Sequence, residues 1–580
     1  MRSLRFLSTV SAAAVLAVLM AVSPGLHSQS AEKIPEDPRD PRLNYGPKTV
    51  AEGDDVMVCT QSLITTEAAL KVLREGGSAV DAAVAAAFLQ QVTEPHQVSR
   101  WGALTGVYYD ASAGEYFAYN GDGERPLASR GKSCNPSLSS RVSIGGTVLS
   151  LWELHQRFGK LPWSRLLEPA IAAAEEGVLV TSFMYGLLYD RWEGSDSELL
   201  GNKEAREFFM PGGHLVPVGF KWKMPVVAGH LRKLAEKGGP YMYTGEWGQK
   251  FVEETSKRGG RVTMEDMTEY EVRWTEPLHF EYKGYDIYTE PMPVDGGLIV
   301  AMSLNILENF DLQSLGHYTE SAETLEIMAR TAGLVSSQQR WLEDPLSFHN
   351  PTEIFLSEEY GKMMAEFVRQ LMPLPGVDLS PPKDESEIEK QAEDVPSPAV
   401  RSSDHISITD AEGNWVSFLH SGHGGAPGTF IDGVAVGGSS SGGRFSGPGR
   451  RLDNPCAASI VAKSGRPWMA IGTPGSPGQP MVEVLINILE FGMHPREAAD
   501  APRFWALDYD HTLRMESRIP GKVRKGMASR GIKIQDIKDY NWHTGSFQIV
   551  WRDEKTSKLY GVSDPRRLLR RWVLRNIDKL

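Results

Sequence analysis

Ser403 stands at a boundary. A proline- and acid-rich stretch ends just before it, and an alternating strand pattern, HISITD (405–410), begins just after it. A cut before Ser403 would leave a free α-amino group beside the residue's own hydroxyl. An unperturbed α-amine has a pKa of about 7.7–8.0, close to neutral working pH. It can take the hydroxyl proton and serve as general base for a serine nucleophile, with no separate His–Asp pair. Taken alone, the same pattern also fits a turn serine ahead of a strand.

A second stretch, GTPGSPGQP (472–480), places the main-chain N–H groups of Gly475 and Ser476 between a strand and the start of a helix. Such groups lack helical partners, and the helix dipole there favours negative charge. That chemistry suits an oxyanion hole; a plain strand-to-helix loop is the simpler alternative. His420 and His423 (HSGH) are metal-ligand types but lack a third ligand close by, so they read as polar pocket or loop residues. GGSSSGG (437–443) and SGPGR (446–450) are not followed by GK[ST] and are not phosphate loops. Nothing calls for a metal or an organic cofactor.

The elements that must position these groups follow from periodicity. Thr65 or Thr66 can cap a helix from Glu67 to about Arg74, stopped by Gly76-Gly77. Ser78 and Asp81 form a capping box for AVDAAVAAAFLQQ, which is apolar on most faces and should be buried. Residues 105–119 read as a hairpin about Ala113-Gly114, 147–177 as helical, 284–288 as a strand, and 298–308 and 320–342 as helices. Beyond the linker at 373–399 the pattern turns to β. HISITD pairs with WVSFLHS (415–421), and CAASIVA (456–462) with PWMAIG (467–472). Pro480 then opens a helix. A helix-rich first half and a strand-rich second half predict a layered α/β assembly. Trp101 and Trp341 read as core or rim residues.

Residues 1–30 carry Arg2, Arg5 and an apolar run to about Val22, then small residues, the pattern of a secretory signal. Its removal takes the net charge from −13 to −15. An acidic exported product argues against a nucleic-acid partner. No later stretch is long and apolar enough to span a membrane. The basic cluster Arg566, Arg567, Arg570 and Arg571 reads as a solvated face. Cys59, Cys134 and Cys456 are too few and too far apart for a disulfide framework or a Cys-rich zinc site, though one disulfide could form.

Several long strings resemble the γ-glutamyltranspeptidase family: LREGGSAVDAAVAAAFLQQVTEPH (73–96), GGTVLSLWELHQRFGKLPWSRLLEPAIAAAEEG (145–177), PMPVDGG (291–297), GTPGSPGQP, FGMHPREAADAPRF (491–504) and GVSDPRR (561–567). They occur in the family's order through most of residues 50–570. The resemblance implies the N-terminal-nucleophile (Ntn) hydrolase αββα sandwich, two stacked antiparallel sheets between helical layers. It also implies a precursor that cuts itself into a large subunit (31–402, with 373–402 as its linker) and a small one (403–580). The implied substrate is a small-molecule amide.

By the same resemblance Ser403 takes the place of the family's nucleophilic threonine, two positions before His405. Ser421 takes that of the second threonine, and Gly475 and Ser476 those of the oxyanion glycines. The substrate pocket departs from the family. Asp122 stands at the position of the carboxylate-binding arginine, with Arg125 a nearby replacement. Asn454-Pro455 stands for a serine pair, His423 for an asparagine, and the acidic position falls near Gly443 with no carboxylate. The expectation is therefore an exported amidohydrolase or acyltransferase with altered recognition. The alternatives are an ordinary γ-glutamyltransferase or glutathione hydrolase, and a catalytically silent relative with a binding role.

Overall fold

The computed structural model describes residues 50–128, 142–193, 203–257, 259–339, 341–373, 403–422, 429–436, 447–452, 454–474 and 478–567. The signal stretch, the linker from 374 to 402, Cys134, His423, Gly443, Gly475 and Ser476 lie outside them, as do Arg570 and Arg571.

Among the described residues, thirteen strands build two antiparallel sheets. They are β1 (Ala51–Gly53), β2 (Met57–Cys59), β3 (Ala103–Asp110), β4 (Glu115–Gly121), β5 (Arg273–Thr275), β6 (Leu278–Tyr282), β7 (Tyr285–Thr289), β8 (Ser403–Thr409), β9 (Trp415–Ser421), β10 (Ser459–Lys463), β11 (Arg466–Gly472), β12 (Gln548–Arg552) and β13 (Leu559–Ser563). The seven-stranded sheet runs β1-β13-β12-β11-β10-β7-β6, and the six-stranded sheet β2-β8-β9-β3-β4-β5. Met57, Cys59, Val107, Trp415, Ile460, Ala470, Val550 and Leu559 pack between them. Each outer face carries its own larger helix-backed core. The result is a four-layer αββα sandwich, as expected.

On the six-stranded side lie α1 (Leu63–Arg74), α2 (Ala79–Thr93), α3 (Thr147–Phe158) and α4 (Trp163–Glu176). On the other lie α5 (Asp295–Leu307), α6 (Ala322–Gln339) and α7 (Gly478–Leu485). The Ser78–Asp81 capping box of α2 is present, and every residue from Ala79 to Val92 is buried. Asp81 does more than cap: its Oδ2 also accepts the N–H groups of Lys160 and Leu161, at 2.9 and 3.1 Å. That fixes the Gly159–Pro162 break, which divides the expected 147–177 helix into α3 and α4.

Other expectations shift. α1 starts at Leu63 rather than after Thr65 or Thr66, with Ser62 in the cap position. Thr66 Oγ1 is engaged with Thr60 Oγ1 at 2.8 Å instead. The helix expected to open at Pro480 begins at Gly478, and its tail, Ile486–Glu490, widens into a π-turn. Cys59 and Cys456 are buried free thiols. Trp101 is buried among Tyr243, Trp247 and Phe251, whereas Trp341 is 73% exposed.

The solvated-face reading of Arg566 and Arg567 is wrong. Both are buried. Arg566 meets the Glu516 carboxylate through Nε and Nη2, at 2.7 and 2.8 Å, and donates to the carbonyls of Ala499 and Ala501. Two adjacent arginines look like surface when their partners are far away in sequence.

Candidate active site

β8 and β9 form the expected hairpin, and its register decides what shares a face. Ser403 lies opposite Ser421, His405 opposite Leu419, and Ser407 opposite Ser417. Strand alternation sends these odd positions into the gap between the sheets. Two hydrogen bonds across the gap confirm it: Ser407 Oγ donates to the Gln548 carbonyl at 3.0 Å, and Ser417 Oγ to that of Ile471 at 3.1 Å. Ser403 is half-buried and heads the strand, so its hydroxyl lies at the mouth of the gap.

His405 bonds through Nε2 to Ser417 Oγ at 2.9 Å. Burial, with His420 beside it, pushes its pKa down to about 3, so the ring is neutral. Gly472, the last residue of β11, abuts the ring so closely that a Cβ there would lie 2.3 Å from Nε2. The chain entering the GTPGSPGQP turn therefore passes two residues from Ser403 along β8. Thr473 is held there by the N–H of Ser546, at 2.6 Å.

The even positions of β8 face α2. Asp404 is fully buried and meets Glu94, the C-cap residue of α2. Gln97 Nε2 donates to Glu94 Oε2 at 2.9 Å. The Gln61 amide, oriented with its nitrogen toward the acids, donates to Asp404 Oδ1 at 2.7 Å and to Glu94 Oε2 at 3.2 Å. Arg567 Nη1 donates to Gln97 Oε1 at 2.7 Å and to the carbonyl of Ser403 itself at 2.8 Å. Phe183 and Trp542 flank its guanidinium. Burial raises the Glu94 carboxyl to about 7 and Asp404 well above the usual range, and lowers Arg567 to about 10.

Farther along the six-stranded sheet, Asp122 follows the end of β4. Gly121 pairs with Leu104, and Ala103 with Ser421, so Asp122 lies three strands from Ser403, about 14 Å at sheet spacing. Asn454 Nδ2 donates to Asp122 Oδ2 at 2.8 Å, and the Gly123 N–H to Oδ1 at 2.6 Å. Glu290 lies close by with its pKa pushed up to about 8 by burial, and its Oε2 accepts the Ala458 N–H at 2.8 Å. Cys456 donates to Asn454 Oδ1 at 3.2 Å. Arg125 is half-buried just past Asp122, its main chain bonded to Arg450 and Gly449.

With this geometry in place, comparison with known proteins is decisive. The sequence profile described as gamma-glutamyltranspeptidase matches residues 65–570. The chain belongs to the γ-glutamyltranspeptidase family. It is 30% identical over 540 residues to the glutathione hydrolase proenzyme of Pseudomonas aeruginosa, covering 86% of this chain and 91% of the relative. It is 27% identical over 575 residues to the glutathione hydrolase proenzyme of Escherichia coli, covering 91% and 94%. Among solved structures, the cephalosporin acylase of Bacillus halodurans superposes with a TM-score of 0.76 at 26% identity, covering 90% of this chain and 96% of that one. The sandwich is thus the Ntn-hydrolase fold, and the chain is a divergent member of a hydrolase and acyltransferase family.

Sequence reasoning singled out Ser403, Ser421 and Asn454 and missed Gln61, Glu94, Gln97 and Arg567. One signal was available. Glu94 ends a buried helix, where the dipole disfavours negative charge, so an acid there needs a partner.

Proposed function

We propose that this family member is an exported, self-processing amidohydrolase or acyltransferase whose nucleophile is Ser403. The observation that carries this is the place of Ser403: first on an inner strand, opposite Ser421, at the mouth of the inter-sheet gap, with its carbonyl gripped by Arg567. In the precursor, Oγ attacks the carbonyl of residue 402, and the peptide nitrogen of Ser403 leaves as an amine. Water then hydrolyses the ester. In the mature enzyme that amine takes the Oγ proton as Oγ attacks the substrate carbonyl, and returns it to the departing amine. The N–H groups of Gly475 and Ser476 would hold the oxyanion. Water, or an amine acceptor, releases the acyl group. Ser421 supports the Ser403 hydroxyl from the facing strand.

The proposed substrates carry an N-acyl group other than γ-glutamyl. The position expected to bind the glutamyl carboxylate holds Asp122, already engaged by Asn454 and Gly123, with the buried Glu290 near it. An acid cannot replace an arginine there. The likeness to a cephalosporin acylase favours this reading. The 30% identity to a glutathione hydrolase favours a second one, γ-glutamyl transfer with Arg125 and His423 as replacement binding groups. Residues 1–30 would direct export to the periplasm or beyond. Among the described residues no helix is long and apolar enough to cross a membrane.

Ser403→Ala and the parent, compared on denaturing gels and by intact mass, test the nucleophile. The parent should yield a fragment beginning at Ser403 and the variant should stay whole. A parent that stays whole, or a variant that splits equally well, refutes the assignment. Fast turnover of a γ-glutamyl anilide by the parent would decide for the second reading.

A further inference from the structure

Asp404 directly follows the proposed nucleophile and is buried against a second carboxyl, Glu94. One guanidinium, Arg567, faces both acids and also holds the Ser403 carbonyl. We propose that Glu94 and Asp404 act as one proton-sharing carboxyl pair whose single negative charge holds Arg567 against the Ser403 carbonyl, making all three positioning residues for the nucleophile. The inference rests on Ser403 being that nucleophile.

The argument is one of charge. With both acids ionised, the buried cluster carries a net −1; with both protonated, a net +1. One shared proton makes it neutral, the state a dry site favours. The packing agrees. Gln61 and Gln97 supply neutral donors to the acids, and Gln97 Oε1 takes one Arg567 N–H. Among the described residues, other ionisable groups surround the cluster, and the buried His96 meets the edge of Phe183, the ring beside Arg567. His420 lies across from Asp404 on β9 and is held neutral by burial. His543, near Arg567, is likewise depressed. Asp564, on the segment leading to Arg567, is already bonded to Arg503 and Arg566. Neither depressed histidine nor Asp564 supplies a second cation to the pair. Burial keeps the shared proton in place near neutral pH. Its loss at higher pH would leave an uncompensated buried charge beside Arg567 and loosen its grip on the Ser403 carbonyl.

The chain's own 402–403 peptide bond is the probe, so no external substrate is needed. Freshly prepared full-length protein is followed into fragments from acid to alkaline pH. The parent rate should fall on the alkaline side. Glu94→Gln and Asp404→Asn each fix the cluster at neutrality with Arg567, so the pH profile of each should lose the alkaline fall, whatever its rate at neutral pH. Glu94→Gln/Asp404→Asn together should cut about 100-fold more slowly, the penalty of a displacement near 1 Å. Adding Arg567→Gln restores charge balance, and native near-ultraviolet circular dichroism then reports folding. That triple variant should fold and still cut slowly, because nothing holds the carbonyl. A single variant that keeps the alkaline fall, or a double or triple variant that cuts at the parental rate, overturns the proposal. A parent that never cuts defeats the Ser403 assignment itself.

Discussion

Gly472→Ala is a sharp test of how β11 meets β8, the strand that Ser403 heads. The new Cβ would lie 2.3 Å from His405 Nε2, 2.4 Å from Cδ2 and 2.9 Å from Cε1, so the ring or the strand must yield by about 1 Å. The ring cannot yield freely, because Nε2 is bonded to Ser417 Oγ at 2.9 Å and both residues are buried. A shift of that size stretches the bond beyond hydrogen-bonding range. Overpacking costs about 1–3 kcal/mol and the lost bond about 1 kcal/mol, so destabilisation of about 2–4 kcal/mol is expected. His405 is two residues from Ser403 on the same face, so self-cleavage should slow by about 100-fold. Thermal melting of the chain and the appearance of fragments on a gel read the two effects. Adding His405→Ser removes the ring and opens the space, so the double variant should be more stable than the two single losses predict, by about 1 kcal/mol or more. Parental melting and cleavage in Gly472→Ala, or simple additivity in the double variant, would refute the reasoning.

His420, whose Nε2 bonds Gln90 Oε1 at 2.8 Å, has its pKa depressed to about 3 by burial. The folded chain refuses a proton that the unfolded chain accepts below about 6.5, so this stability is present above 6.5 and lost as pH falls toward 3. Between pH 7 and pH 5 the loss is about 2 kcal/mol. In His420→Gln the urea midpoint should shift correspondingly less over that interval, and an identical shift would count against a buried neutral ring. Glu516→Gln leaves the buried Arg566 without its two-pronged carboxylate partner and should cost about 3–5 kcal/mol, seen as a lower melting temperature and a poorer soluble yield; a variant that melts with the parent would show the pair to be dispensable.

The sequence disclosed most where neighbours in space are neighbours in the chain. The β8–β9 hairpin, the Ser78–Asp81 box and the buried alanine-rich α2 are all legible from period and composition. That a strand would follow directly on Ser403 was legible from the alternating pattern after the linker. What stayed hidden depends on long-range pairing. Arg567 looked solvated because its partner Gln97 lies 470 positions earlier, and Arg566 because Glu516 lies 50 positions away. Likewise β2 pairs with β8 through Cys59 and Ser407, a register no local pattern fixes. Asp404 was visible as a residue, yet its meaning required Glu94 across the layer.

The interleaving of strands has a consequence for how such a protein must be made. A cut before Ser403 would assign β1–β7 to one fragment and β8–β13 to the other, and both sheets contain strands from each. The fragments would meet along four strand junctions: β1 with β13, β10 with β7, β2 with β8, and β9 with β3. Neither fragment owns a complete sheet. Before the cut, refolding is a unimolecular search; after it, refolding becomes an encounter between two chains and depends on their concentration. The uncut chain would then be the species that encodes the fold, and a cleaved form would persist only as long as its unfolding is slow.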